Sequence, residues 1–283
     1  MVKLVALDID GTLLNRNGQI SGRTLRAVAG LRRAGVEFTL CTGRNLPLVR
    51  EFAQSMAITL PIAICNGGEV RGVNGEVLER RSIPIELAKE AYRILVKHEA
   101  LFDIYWNDRI LIESKPKHLQ RLIDYYRAIK NIDNEYEALL EQEIEAPYMF
   151  ETHDISAWMD SGEPAAIEKF FVMEHRPERL EAMYDELKKV PGLNVFTSHH
   201  TTLEINHVTA DKGAGLARIA EAYGVAAEEV AAIGDGMNDV PMFAYAGISV
   251  AMGNASDEVK RHARFVTGTN AEDGLAQTLE QWL

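Results

Sequence analysis

Thiols are scarce: Cys41 and Cys65 are the two cysteines in 283 residues. That is no disulfide framework, and both are expected to be reduced and buried. No apolar run reaches the ~18 residues that a bilayer-spanning helix needs. Met1-Val2-Lys3-Leu4 leads into a short run that meets charge at Asp8. It lacks the longer apolar stretch and small-residue cleavage site of a signal peptide, so a cytoplasmic protein is expected. Cations are also in deficit. Lys and Arg number 30 against 42 Asp and Glu, a formal net charge of −12. A binder of nucleic acid or of a membrane surface would need clustered Lys and Arg, so neither partner is expected. A small anionic substrate is not excluded, because one metal ion and a few placed cations can dominate a local field.

What is present is ordinary globular material: 47% hydrophobic and 25% charged residues. The length suits one large domain or two smaller ones. Residues 2–7 form a nearly continuous apolar run, the pattern of a strand buried on both faces of a parallel sheet. Residues 21–34 have helical spacing, with Leu25, Val28 and Leu31 on one face and Ser21 as N-cap. Residues 36–41 read as a second strand, 45–56 as a helix and 61–65 as a third strand. This βαβαβ rhythm implies parallel strands with right-handed crossovers.

The rhythm then breaks. Asn74-Gly75 sits between two strand-like runs, a hairpin signal. From about residue 84 to 196, helices mix with segments that read as antiparallel strands. Residues 131–162 are acidic and aromatic and carry no clear periodicity. After about residue 201 the α/β rhythm returns: a strand at 202–206, a helix capped by Asp211, and a strand at 229–233 running into Gly234-Asp235-Gly236. The fold class read from this pattern is α/β, a Rossmann-like parallel-sheet core with an inserted α+β domain. The boundaries are residues 1–83 and 197–283 for the core and 84–196 for the insertion.

Four segments carry candidate chemistry. Asp8-Ile9-Asp10-Gly11-Thr12 ends a hydrophobic strand in two acids, and residues i and i+2 of an extended chain point the same way. Clustered carboxylates need compensation, which a hard divalent cation supplies. Strand carboxyl ends are also where open α/β sheets bind ligands. Read alone, the pair also suits turn and cap acids around Gly11. In Gly234-Asp235-Gly236-Met237-Asn238-Asp239 a second strand ends in acid, with Asp239 four residues on; read alone, it also suits a glycine-rich turn capping a helix. Two acidic strand ends in one chain favour a shared site. Cys41-Thr42-Gly43-Arg44 offers a hydroxyl, an open backbone N–H and a cation for phosphate, although Thr-Gly-Arg is common in turns. Lys212 follows the capping Asp211 at a helix N-terminus, where the dipole disfavours a cation. An anionic partner would explain it; a solvated surface lysine is the alternative.

In order and content, these segments resemble the haloacid dehalogenase superfamily. Within it the chain is similar to the Cof-type phosphatases, which insert a large α+β cap between the second and third motifs. Asn66-Gly67-Gly68, the run Gly247-Ile248-Ser249-Val250-Ala251-Met252-Gly253-Asn254-Ala255, and residues 270–275 share that likeness.

The resemblance implies roles. Asp8 is the nucleophile, and Asp10 the acid that protonates the leaving oxygen and then the base that activates water. Mg²⁺ is held by the Asp8 carboxylate, the Asp10 backbone carbonyl and Asp235. Thr42, Gly43, Lys212 and Asn238 bind phosphate, Asp239 supports the metal's water shell, and Arg44 is a further candidate substrate contact. The implied substrate is a small phosphorylated metabolite such as a sugar phosphate, with the insertion opening and closing over the site. Asp10 sets the chain apart from the transport ATPases, which have Thr there. A phosphomutase shares the acid pair and the cap type and remains an alternative. A non-catalytic sensor of phosphorylated metabolites is a second, but Asp8, Asp10, Lys212 and Asp235 are all present. His199 and His200 are expected to be solvated. Tyr105, Trp106, Tyr148 and Phe150 are expected in the core of the insertion.

Overall fold

The computed structural model describes residues 1–130, 132–146, 150–198 and 200–283. Tyr148 and His199 lie outside the described residues. The chain forms two units, Met1–Arg81 with Thr209–Leu283, and Ser82–Val208. Among the described residues no helix is long and apolar enough to cross a membrane.

The first unit is built on a parallel sheet. Its strand order is Phe265–Val266, Ile248–Ala251, Val230–Gly234, Leu4–Leu7 and Glu37–Leu40. Every residue of Leu4–Leu7 and Val230–Gly234 is buried, as two-sided cover by helices requires. Alternate residues serve opposite faces. Val5, Leu7, Phe38 and Leu40 pack with Val28 and Leu31 of the helix Gly22–Arg33. Leu4, Ala6, Val230 and Ala232 pack with Leu216 and Ile219 of the helix Lys212–Ala222.

Local chemistry shapes the departures from periodicity. The helix expected over 45–56 forms only over Arg50–Ser55. Pro47 disfavours helical geometry at Leu46 and has no N–H to donate, so the turn before Arg50 stays irregular. The third strand, Ile62–Ile64, joins the sheet through one parallel bridge, Cys41 to Ala63, and then pairs antiparallel with Glu69–Arg71. Glu69–Arg71 and Val77–Arg80 form the expected hairpin. Cys41 and Cys65 are buried thiols and form no disulfide among the described residues.

The second unit is α+β. Its six-stranded sheet runs Leu193–Phe196, Thr202–His207, Lys169–Met173, Leu101–Trp106, Arg109–Ile112 and Phe150–Thr152, antiparallel except for the last pair. The helices Ile85–Lys97 and Pro177–Leu187 cover one face through Ala88, Leu95, Met183 and Leu187. Tyr105 and Phe150 are buried, and Trp106 packs edge-on against Trp158 with ring centroids 5.2 Å apart. His200 is exposed. The patternless stretch resolves into the helix Asn134–Glu145, the strand Phe150–Thr152 and the helix Ile155–Asp160.

Both boundaries differ from those expected: Ile83, expected in the core, pairs antiparallel with Ile167, so the second unit begins at Ser82 rather than at residue 84. Thr202–His207, expected in the core, pairs antiparallel with Lys169–Met173 and Leu193–Phe196. The return to the first unit therefore falls at Thr209 rather than at residue 197. Strand propensity marks 202–206 correctly but does not choose its partners.

Candidate active site

Sheet register creates the site. Leu4–Leu7 and Val230–Gly234 are parallel neighbours with Leu7 opposite Ile233, so both chains leave the sheet at the same edge. The Asp8 N–H donates to the Ile233 carbonyl at 3.0 Å. Asp8 and Asp235, 227 positions apart in sequence, thus emerge side by side. Oxygens of Asp8, Asp235 and Asp239 all lie within 4.8 Å of one another.

Lys212 explains its own awkward place at a helix start. Its ammonium donates to Asp8 Oδ1 and to Asp239 Oδ1, both at 2.6 Å, and the residue is 1% exposed. Asp211 Oδ1 caps the helix by accepting the Ala214 N–H at 2.7 Å. The other Asp239 oxygen accepts the N–H groups of Asp235 and Gly236, each at 2.8 Å. Asp239 therefore fixes both the lysine and the loop that carries Asp235. Asp235 accepts from the Thr12 hydroxyl at 3.2 Å and from the Asn254 amide at 3.0 Å. Asn254 also donates to the Gly11 carbonyl at 2.9 Å and accepts the Asn270 N–H at 2.9 Å.

Three carboxylates thus face one ammonium in a buried place. Burial pushes the Asp8 carboxyl well above its usual range, with Asp239, Asp235 and Asp10 adding repulsion and Lys212 opposing it. Burial and the Asp239 charge push Asp235 up to about 7. Such an excess of buried negative charge, presented as oxygen donors, fits a hard divalent cation. Asp8 and Asp235, at the two strand ends, could hold it. Asp239 could lie in the same oxygen set, and with one oxygen on Lys212 and the other on the N–H groups of Asp235 and Gly236 it also orients the groups around it.

The Asp10 side chain is 61% exposed and stands outside this cluster. It makes a two-point pair with Arg44, Nε to Oδ2 at 2.8 Å and Nη2 to Oδ1 at 2.6 Å. Arg44, read as a candidate substrate contact, thus engages Asp10. Thr42, Gly43 and Arg44 leave the sheet beside Asp8, where Cys41 N–H donates to the Leu7 carbonyl at 2.9 Å. Thr42 is fully buried and its hydroxyl accepts the Arg44 N–H at 3.2 Å. The Asn238 amide donates to Asn66 Oδ1 at 3.1 Å.

Thr12, Asn66 and Asn254 had no role in the sequence reading. Thr12 and Asn254 hold Asp235 from distant loops. The signal in the sequence for Asn254 is its place in the run Gly247 to Ala255, which shares the family likeness.

Gly11 is required twice over. Its φ is +81°, and a Cβ there would come within 2.7 Å of Asp235 Cγ. Gly11→Ala is expected to displace the Asp235 carboxylate and weaken divalent-cation binding by ~10–100-fold, the usual cost of disturbing a ligand's support. Titration calorimetry with Mg²⁺ checks this; unchanged affinity would contradict it.

Comparison with known proteins agrees with this geometry. The family model of haloacid dehalogenase-like hydrolases matches residues 5–279. The chain is 29% identical over 282 residues to 5-amino-6-(5-phospho-D-ribitylamino)uracil phosphatase YcsE of Bacillus subtilis, covering 100% of this chain and 96% of that protein. It is 29% identical over 276 residues to pyridoxal phosphate phosphatase YbhA of Escherichia coli, covering 97% and 96%. A solved structure of a haloacid dehalogenase-like hydrolase from B. subtilis superposes with a TM-score of 0.82 at 28% identity, over all of both chains. With a model match across nearly its whole length and acids at two adjoining strand ends, this chain belongs to the haloacid dehalogenase-like hydrolases.

Proposed function

We propose that this protein is a Mg²⁺-dependent phosphatase that hydrolyses small phosphomonoesters through an aspartyl-phosphate on Asp8. The observation that carries the reading is Lys212, buried and bonded to Asp8 at the mouth of the sheet. The relatives named as phosphatases of phosphorylated small molecules support the substrate class. A sugar phosphate or a similar metabolite fits it.

In this mechanism Lys212 holds Asp8 Oδ1 and aims Oδ2 at phosphorus. The new bond forms from Oδ2 as the bond from phosphorus to the leaving oxygen breaks. Asp10 gives its proton to that oxygen. Asp10 then takes a proton from water, which attacks the phosphorus, and the bond to Asp8 breaks to release phosphate. Thr42, Gly43, Lys212 and Asn238 bind phosphoryl oxygens. Arg44 passes from Asp10 to the incoming phosphate, which frees Asp10 for proton transfer. Held by Asp8, Asp235 and the Asp10 main-chain carbonyl, Mg²⁺ would offset charge on the transferring group, the largest barrier to attack by one anion on another.

The test is phosphate release from a panel of phosphorylated sugars, nucleotides, cofactors and an aryl phosphate. Release is expected with Mg²⁺ and is expected to vanish with a chelator. Chelator-resistant release, or none across the panel, would overturn the reading. Conversion of a sugar phosphate to its isomer would replace it with a mutase.

A further inference from the structure

Cys65, Asn66 and Gly67 all lie at positive φ, +48°, +55° and +77°. Non-glycine residues persist there only where the surroundings over-determine them, and such strain concentrates at functional sites. The constraints are specific. Cys65 N–H donates to the Arg44 carbonyl at 2.9 Å, and Asn66 N–H to the Thr42 carbonyl at 2.8 Å. The Gly67 α-carbon lies so close to the helix that carries Lys212 that a Cβ would come within 2.8 Å of the Asp211 carbonyl carbon. Asn66 is fully buried, and its Oδ1 accepts from Asn238 at 3.1 Å. One strained turn therefore touches all three loops that present Thr42, Lys212 and Asn238.

We infer that this turn is a positioning device for the phosphoryl site and that Asn66 acts through Asn238, orienting its amide. The inference rests on the phosphatase reading. Asparagine suits the position because it tolerates the left-handed region and offers a short acceptor. The buried amide pair gives Asn238 one orientation, where a lone Asn238 would rotate.

A double-mutant cycle tests this. Asn66→Gly keeps the backbone geometry and removes the acceptor; Asn238→Ala removes the amide it holds. Readouts are kcat/KM on the best substrate, inhibition by inorganic phosphate, and melting temperature. Each single variant is expected to lose about 10-fold or more in kcat/KM, as supporting residues commonly cost, with weaker phosphate inhibition. The double variant is expected to lose no more than the worse single one. Asn66→Asp, which keeps an acceptor oxygen and the turn, is expected to recover part of the loss. It carries the cycle should Asn66→Gly fail to fold, and a loss in Asn66→Asp as large as in Asn238→Ala would then count against the inference. Wild-type kinetics in Asn66→Gly, or losses that multiply in the double variant, would overturn it. A wild type without phosphatase activity sinks the underlying reading as well. An active wild type with an impaired Asn238→Ala and a normal Asn66→Gly sinks the inference alone.

Discussion

Asp8→Asn is expected to abolish phosphate release, by ~10⁴-fold or more, as loss of a covalent nucleophile does. It is not expected to lower the melting temperature of the metal-free protein. The two halves have separate causes. The amide cannot form the acyl phosphate, although it matches the carboxylate in shape. Stability follows the sign of the pKa shift. The folded site holds Asp8 well above its usual carboxylate range, so its ionised form at neutral pH opposes folding. Neutralising the side chain removes that cost while Asp239 keeps its bond to Lys212. Steady-state kinetics and a thermal melt in chelator check both halves. A variant that is inactive because it has melted would contradict the account.

Lys212→Met is expected to lose activity to a similar degree and, unlike Asp8→Asn, to destabilise the fold. Methionine keeps the length and apolar bulk of the lysine stem without the charge. Asp8 and Asp239 would then lie buried beside Asp235 with no counter-ion. Removing one partner of a buried ion pair costs ~3–5 kcal/mol. Because Lys212 is 1% exposed, solvent screening offers little relief. Mg²⁺ is expected to recover part of the stability, since the cation offsets the same charges, but not the activity. Urea unfolding with and without Mg²⁺ measures this. Equal stability of variant and wild type in chelator would show that the lysine is not the counter-ion of the cluster.

The sequence was most readable where chemistry and periodicity coincide. The apolar runs before Asp8 and Asp235 mark buried parallel strands, and their register brings the two acids together. Lys212 stood out because a cation at a helix start needs a reason, and the structure supplies Asp8 and Asp239. Other features depend on pairing that no local pattern encodes. Thr202–His207 reads as a strand but not as a member of the inserted sheet. The Asp10–Arg44 pair spans 34 positions, and the Thr12 and Asn254 bonds to Asp235 span 223 and 19. The Asn66 turn was visible as a short motif, but its strain and its grip on three loops exist only in the folded chain.

The central claim is a covalent phosphate on Asp8. Acid quenching during turnover with Mg²⁺, followed by peptide mass spectrometry, tests it most directly. Asp10→Asn is the best host, because loss of the base slows hydrolysis of the intermediate more than its formation from an aryl phosphate with a good leaving group. The account predicts a phosphorylated peptide with the modification on Asp8, absent in Asp8→Asn. Phosphate release that continues in Asp8→Asn, with no adduct on Asp8 in any variant, would contradict it.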